Sequence, residues 1–188
     1  MNILTDYMTN EMKLNLKEQK FIIFKLKCIV YDLSKFVIIL LFFCFTGNLN
    51  EYLFAVMISV PLRTQSGGLH FKHYWSCFLF SFGYFVFVIY GLQRIILPFS
   101  LLILFMAVCA IINFALSPIQ SASRPSLPDA ERHSIKQKTF MITVYSAVIV
   151  LLFYHTPLAA TGYWTIILHS LQLLIAYFIR KGGEKHEQ

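Results

Sequence analysis

The stretch ILPFSLLILFMAVCAIINFAL, residues 96 to 116, decides the fold class. It contains no charged residue and no histidine, and about 20 apolar residues in a helix are enough to cross the roughly 30 Å hydrocarbon core of a bilayer. The whole chain has the same character, since 57% of its 188 residues are hydrophobic and 13% are charged. Soluble domains rarely reach such values. We therefore predict an all-α integral membrane protein.

Other apolar segments lie on both sides of this stretch. We expect spanning helices at 73–91, 140–155 and 158–179. Two shorter runs, 36–46 and 52–60, are joined by GNLNE. Each run is too short for a full crossing, so the pair is predicted to form a helical hairpin. The fold is thus about six hydrophobic helical segments, the first two short and hairpin-like, preceded by an N-terminal amphipathic helix.

The N-terminal region mixes lysines with Leu, Ile and Phe at near-helical spacing between Lys13 and Lys35. This pattern suits an amphipathic helix lying on an anionic membrane surface, and a soluble cap is the alternative. The first residues lack the basic head, apolar core and cleavage site of a signal peptide, so we expect them to be retained.

The chain is predicted to form one membrane domain over residues 1–188. Its consecutive parts are an amphipathic cytoplasmic-surface region at 1–35, a helical hairpin at 36–62, a motif loop and Cys-bearing helix at 63–91, a helix at 96–116, a cytoplasmic loop at 117–138, a second helical hairpin at 139–180 and a tail at 181–188.

The positive charges predict the orientation in the membrane. The formal net charge is +7, but the basic residues lie between apolar segments and form no basic face with aromatic platforms, so nucleic acid is not an expected partner. GNLNE and TPLAATG carry no positive charge, which places both termini and the 63–72 region in the cytoplasm. Arg94 is the exception, and it can reach the interface by snorkelling.

The stretch RTQSGGLHFKHYWSCF, residues 63 to 78, carries the most reactive combination in the chain. A cysteine attacks as the thiolate, and an adjacent imidazole favours that form by accepting the proton. On a straight helix His70 and Cys77 would lie about 10.5 Å apart along the axis, too far for a hydrogen bond. The preceding Gly67 and Gly68 can adopt backbone conformations closed to other residues. We therefore expect the chain to fold back, so that His70 reaches the first turn of the helix carrying Cys77.

Each of these residues also has a plainer explanation. Cys77 can be a small buried apolar group, as we expect of the other three cysteines. His73, four residues before Cys77, is a second candidate for the base or an interfacial histidine. Arg63 binds a substrate carboxylate or carbonyl, or only marks the cytoplasmic end of the hairpin. Two histidines and one cysteine with no neighbouring carboxylate make a poor metal site, so we predict neither a metal nor a cofactor.

The combination of an Arg, then Gly-Gly-x-His, then a Cys seven residues after that His resembles the accessory gene regulator B family of bacterial quorum-sensing peptidases. The hairpin before Arg63, the apolar helix after His73 and the Pro-containing basic loop follow in the same order, so the resemblance covers nearly the whole chain. It implies a multi-pass protein of the bacterial cell membrane that cuts a propeptide on the cytoplasmic side. Its catalytic pair would be His70 and Cys77.

The resemblance also implies the substrate and the product. The propeptide is a small amphipathic peptide with an acidic C-terminal tail, and its internal Cys or Ser displaces Cys77 from a thioester to close a thiolactone or lactone ring. A homodimer in the lipid bilayer is expected. Arg63, Gly67 and Gly68 would shape the site, and four basic residues would contact the acidic tail or act only as positive-inside charges: Arg124, Arg132, Lys136 and Lys138.

Two rival functions remain open on sequence alone. A nonenzymatic peptide exporter or scaffold would carry polar residues lining a path through its spans, and these are sparse. A redox or lipid-modifying enzyme could use Cys77, but a redox enzyme would want a resolving cysteine close by, and none lies within thirty residues. No third residue that orients His70 is evident, although a backbone carbonyl or Ser66 is a candidate.

Overall fold

The computed structural model describes residues 16–68, 73–119 and 128–184. Six α-helices and one π-helical turn make up almost all of this part of the chain. They are α1 Leu16–Phe45, α2 Leu49–Ser66, α3 Tyr74–Val86 with the π-helical turn Phe87–Leu92, α4 Phe99–Leu116, α5 Asp129–Leu152 and α6 Pro157–Glu184. Over the described ranges there is no β-strand, so the predicted all-α fold is confirmed.

Four helical stretches are long and apolar enough to cross a membrane. They are Tyr74–Leu92, Phe99–Leu116, Asp129–Leu152 and Pro157–Arg180. These stretches correspond to the four longer segments expected from the sequence, and they confirm a multi-pass membrane protein.

Helix α1 joins two segments that the sequence analysis treated as separate. The predicted surface region and the first hairpin run form one continuous helix, because no residue near their junction breaks a helix. At the junction Lys35 Nζ pairs with Asp32 Oδ1 at 2.9 Å, the i, i+3 spacing that supports a helix. Residues 1–42 and 43–188 form separate compact units, and the features described below lie in the second.

The first ten residues of helix α5, 129–138, lie within the predicted loop 117–138. Pro128 immediately precedes it, and Asp129 and Glu131 lie in its first turn. A proline fits a helix start because its fixed φ is already suitable, and acidic residues there interact favourably with the helix dipole. Part of the polar insertion is therefore a helical extension of the following span.

The core of residues 43–188 is built around α6. Ile58 of α2, Met106 of α4 and Val150 of α5 pack in one cluster with Tyr163 and other buried residues of α6. Gly162 permits this close approach, because a Cβ added there would lie 2.5 Å from Val150 Cγ2. Small residues at helix contacts are typical of membrane proteins, where packing rather than the hydrophobic effect holds helices together.

Candidate functional site

The two glycines form a sharp turn at the end of α2. Gly67 has φ +78° and Gly68 has φ +144°, both in the region that residues with a Cβ rarely adopt. Ile119 N donates to Ser66 O at 2.9 Å, and a Cβ on Gly67 would lie 2.2 Å from Ile119 O. Both the backbone conformation and the close contact with the chain after α4 therefore require glycine at position 67.

Ser66 and His169 form a buried polar pair directly before this turn. Ser66 Oγ donates to Leu62 O at 2.7 Å and lies 2.8 Å from His169 Nε2. The exposed fractions of the two side chains are 0% and 3%. Because the hydroxyl has one hydrogen, the pair is fully satisfied when His169 Nε2 carries a hydrogen and donates it to Ser66 Oγ. This hydrogen bond fixes the end of α2 against α6.

Arg63 lies one turn before Gly67 and is partly exposed. Its positive charge acts on the side chains of His169 and Tyr84, so it faces the region between α3 and α6. Tyr84 Oη in turn donates to Thr165 O at 2.8 Å. An arginine in this position can bind a carboxylate or a carbonyl of a peptide substrate.

Cys77 lies in the first turn of α3. His73 precedes the helix with an extended backbone, φ −104° and ψ 140°, and Cys77 N donates to His73 O at 3.2 Å. The Cys77 side chain is partly exposed, whereas Cys44 is exposed and Cys109 is buried; none of the three forms a disulfide. The positive end of a helix dipole stabilises a thiolate, so this position suits a nucleophilic cysteine.

Helix α6 presents a row of buried polar side chains to this region. Gln172 is 8% exposed, and its Nε2 lies 3.8 Å from the position of a Cβ added to Gly68. Among the described residues, Gln172 Nε2 has no hydrogen-bond partner. Gln172 has no role predicted from the sequence. The signal that could have pointed to it is a polar residue inside a spanning helix, which is costly unless it has a function.

A second polar cluster joins α4, α5 and α6. Asn113 Nδ2 donates to Thr143 Oγ1 at 3.2 Å, and Ser170 Oγ donates to Asn113 Oδ1 at 3.3 Å. Ser117 Oγ donates to Asn113 O at 2.5 Å. The cluster fixes the end of α4, and through it the segment with Ile119 that contacts Gly67.

The other predicted site residues divide into two groups. His70 and Arg124 lie outside the described residues. Arg132 and Lys138 are exposed on the first turns of α5, and Lys136 is half-buried there. The described residues contain no cluster of three His, Cys, Asp or Glu side chains able to hold a metal ion.

The helices and the turn together define a multi-pass helical membrane protein with a candidate thiol site. The sequence model of accessory gene regulator B matches residues 1–173. A protein named as AgrB-like from Clostridium beijerinckii is 31% identical over 180 residues, which cover 93% of this chain and 86% of the relative. The chain therefore belongs to the accessory gene regulator B family, as the resemblance predicted. No solved structure matches it.

Membership in this family supports a role in the accessory gene regulator quorum-sensing system. It also suggests a protease-like part in propeptide processing.

Proposed function

We propose that the protein is a membrane-embedded cysteine endopeptidase that removes the C-terminal tail of a quorum-sensing propeptide and promotes cyclisation of the remainder. The observation that carries the proposal is the place of Cys77, a partly accessible thiol in the first turn of α3, shortly after the Gly67–Gly68 turn. Family membership supports the substrate class.

In the proposed reaction His70 takes the proton from Cys77. The sulfur then bonds to the carbonyl carbon at the cleavage site, and the carbonyl π pair moves to the oxygen. When that pair returns, the C–N bond breaks and the leaving amine takes the proton from His70. The products of this step are a thioester on Cys77 and the free acidic tail.

Ring closure follows by acyl transfer. An internal cysteine or serine of the peptide attacks the thioester carbonyl, a thiolactone or lactone forms, and Cys77 leaves as its thiolate and regains a proton. Exchange between a thioester and a thiol costs little free energy, so no ATP is required. Exclusion of water favours cyclisation over hydrolysis. The buried side chains of Ser66 at the end of α2 and His169 in α6 support a site with little water.

Substrate binding is proposed to rely on charge. Arg63 lies beside the motif, and Arg124, Arg132, Lys136 and Lys138 are candidates to attract the acidic tail. Asp129 and Glu131 in the first turn of α5 offset part of that charge, so a tail would approach the segment from Arg132 to Lys138. The site and both termini face the cytoplasm of a bacterial cell in this proposal, and the protein acts as a homodimer.

The test is mass spectrometry of the propeptide encoded beside this gene, after co-expression with the protein. Wild type is expected to give a trimmed fragment whose mass is lower by one further water when the ring is closed. Cys77→Ala and His70→Ala should abolish this product. Cys44→Ala is the matched control, because it removes an exposed thiol outside the motif and should leave processing intact.

The remaining outcomes separate the alternatives. If His73→Ala rather than His70→Ala abolishes the product, His73 is the base. Trimming that survives Cys77→Ala rejects the thioester mechanism. Wild-type export of an untrimmed peptide would favour the exporter or scaffold. The buried polar residues of α6 alone do not favour it, since several are hydrogen-bonded to the helix itself or to neighbouring helices.

A further inference from the structure

Gln172 is a buried amide whose donor is unused among the described residues. The side chain is 8% exposed, and Nε2 finds no hydrogen-bond partner in the described part of the chain. Folded proteins rarely leave a buried polar group in this state, and an exception calls for an explanation such as catalysis. Nε2 lies beside Gly68, 3.8 Å from where its Cβ would stand, and so next to the motif turn.

Three contacts show how α3 and α6 are aligned. Gly68, before α3, lies beside Gln172. Within α3, Tyr84 Oη donates to Thr165 O at 2.8 Å. After the π-helical turn, Gln93 Nε2 donates to Pro157 O at 3.4 Å. As the numbering rises along α3 it falls along α6, so the two helices run antiparallel.

This alignment sets Cys77 and Gln172 at the same level. Cys77 lies seven residues before Tyr84, and Gln172 lies seven residues after Thr165. In an α-helix seven residues span about 10.5 Å and nearly two full turns, so Cys77 lies on the face of α3 that carries Tyr84, and Gln172 lies on the face of α6 that carries Thr165. The unused amide is therefore level with the thiol on the neighbouring helix.

We propose that Gln172 is a catalytic residue that stabilises the oxyanion in acyl transfer at Cys77. The inference rests on the proposed function. When the Cys77 sulfur bonds to the carbonyl carbon, the carbonyl π pair becomes a negative charge on oxygen, and Gln172 Nε2–H donates a hydrogen bond to that oxygen. As the pair returns and the C–N bond breaks, the oxygen loses its negative charge and the hydrogen bond from Gln172 weakens. A fixed, buried donor does not have to reorient when the negative charge forms, so little free energy is spent on reorganisation. Such donors therefore accelerate acyl transfer.

The test compares two reactions of Cys77 in the full-length protein in detergent. Attack on p-nitrophenyl acetate passes through an oxyanion, whereas alkylation by iodoacetamide does not. Both modifications are measured by mass spectrometry of the peptide that contains Cys77. Gln172→Met keeps the length of the side chain and removes the N–H. It is expected to slow acylation about 100-fold and to change the alkylation rate by less than about two-fold.

Thr161→Val is the matched control. Thr161 Oγ1 is also buried on α6 and has no partner among the described residues, but it lies three turns from Gln172. This variant should keep both rates. Gln172→Leu supplies a second test of the same position, because it also removes the N–H and leaves an apolar side chain, and it should slow acylation about as much as Gln172→Met does.

The outcomes separate this inference from the proposed function. Equal acylation rates in wild type and Gln172→Met, with Cys77-dependent trimming of the propeptide intact, would overturn the role of Gln172 alone. A parallel loss of alkylation in both Gln172 variants would also overturn it, since the residue would then act on the thiol or the fold. If wild type shows no Cys77-dependent trimming, the proposed function fails instead.

Discussion

Helices α3 and α6 are both long enough to span a membrane, but they are packed very differently. Of the most apolar part of α6, 50% is buried, against 17% for α3 with its π-helical turn. None of the thirteen residues of α3 is buried. The candidate nucleophile thus lies on a peripheral helix, whereas the buried polar row that includes Gln172 belongs to a central one. This division keeps the donors fixed while the thiol stays accessible.

An aromatic face with exposed and partly exposed rings runs along α3. Trp75 is 68% exposed, and the rings of Tyr74, Phe78 and Phe82 are stacked in sequence along the helix, with centroids 6.4 and 6.0 Å apart. Such a face suits lipid, and it also suits the apolar side of an amphipathic peptide. A substrate that reaches Cys77 along α3 would therefore contact accessible aromatic rings first and the buried polar side chains of α6 afterwards.

The contrast in packing predicts opposite effects of the same substitution in the two helices. Gly162→Ala in α6 places a Cβ 2.5 Å from Val150 Cγ2 and 2.7 Å from Phe54 Cε1. Overpacking of a tight contact costs about 1–3 kcal/mol. We expect a clear fall in the unfolding temperature in detergent, measured by the reaction of the buried thiol of Cys109 with a maleimide dye.

Gly83→Ala in α3 is the matched substitution. A Cβ at position 83 has nothing within 4 Å, and alanine is favoured over glycine inside a helix by about 0.5–1 kcal/mol. The unfolding temperature should stay level or rise slightly. If both variants lose stability equally, α3 is as tightly packed as α6 and the comparison is wrong.

A smaller effect is expected at the Ser66–His169 pair, which links α2 to α6. Ser66→Ala leaves a buried imidazole unpaired, whereas His169→Leu removes one partner of the Ser66 hydroxyl, which still donates to Leu62 O. Leaving one such group unpaired costs about 1–3 kcal/mol. The double variant should lose less unfolding free energy than the two single variants lose together. A double-mutant cycle on thermal unfolding measures this difference.

Additive losses in that cycle would contradict the hydrogen bond. Thr139→Val is a suitable control, because Thr139 is equally buried and its hydroxyl donates to Ile135 O within its own helix. Its loss should add to that of Ser66→Ala, since the two sites share no partner.

Some of this arrangement follows from the sequence, and the reasons are local. The uncharged run 96–116 predicts a spanning helix because its length matches the bilayer, and α4 covers Phe99–Leu116. The Gly-Gly pair predicts an unusual backbone, and both glycines have positive φ. The motif from Arg63 to Cys77 predicts the family, which the match over residues 1–173 confirms.

The rest depends on contacts between distant parts of the chain. Gln172 lies more than one hundred residues after Gly68, and no periodicity shows that the two meet. Ser66 stays a candidate to orient His70, which lies outside the described residues, and the sequence does not show that the Ser66 hydroxyl lies 2.8 Å from His169 Nε2. The extra helical turns at the start of α5 lie in a polar segment, where charge and proline obscure the helix that Asp129 begins. Tertiary packing decides all three.

The smallest expected effect tests the alignment of α3 on α6 directly. Tyr84→Phe removes the hydrogen bond to Thr165 O and leaves the ring in place. Interhelical hydrogen bonds in membrane proteins contribute about 0.6 kcal/mol on average, so the unfolding temperature should fall only slightly.

The rate of Cys77 acylation by p-nitrophenyl acetate should fall clearly in Tyr84→Phe although the unfolding temperature hardly changes, because the hydrogen bond sets the level of Cys77 relative to Gln172. Tyr90→Phe, whose hydroxyl contacts Asn48 instead, should leave acylation unchanged. Equal acylation rates in wild type and Tyr84→Phe would show that other contacts hold α3 in its alignment on α6. Helix α3 would then be fixed in position although none of its residues is buried.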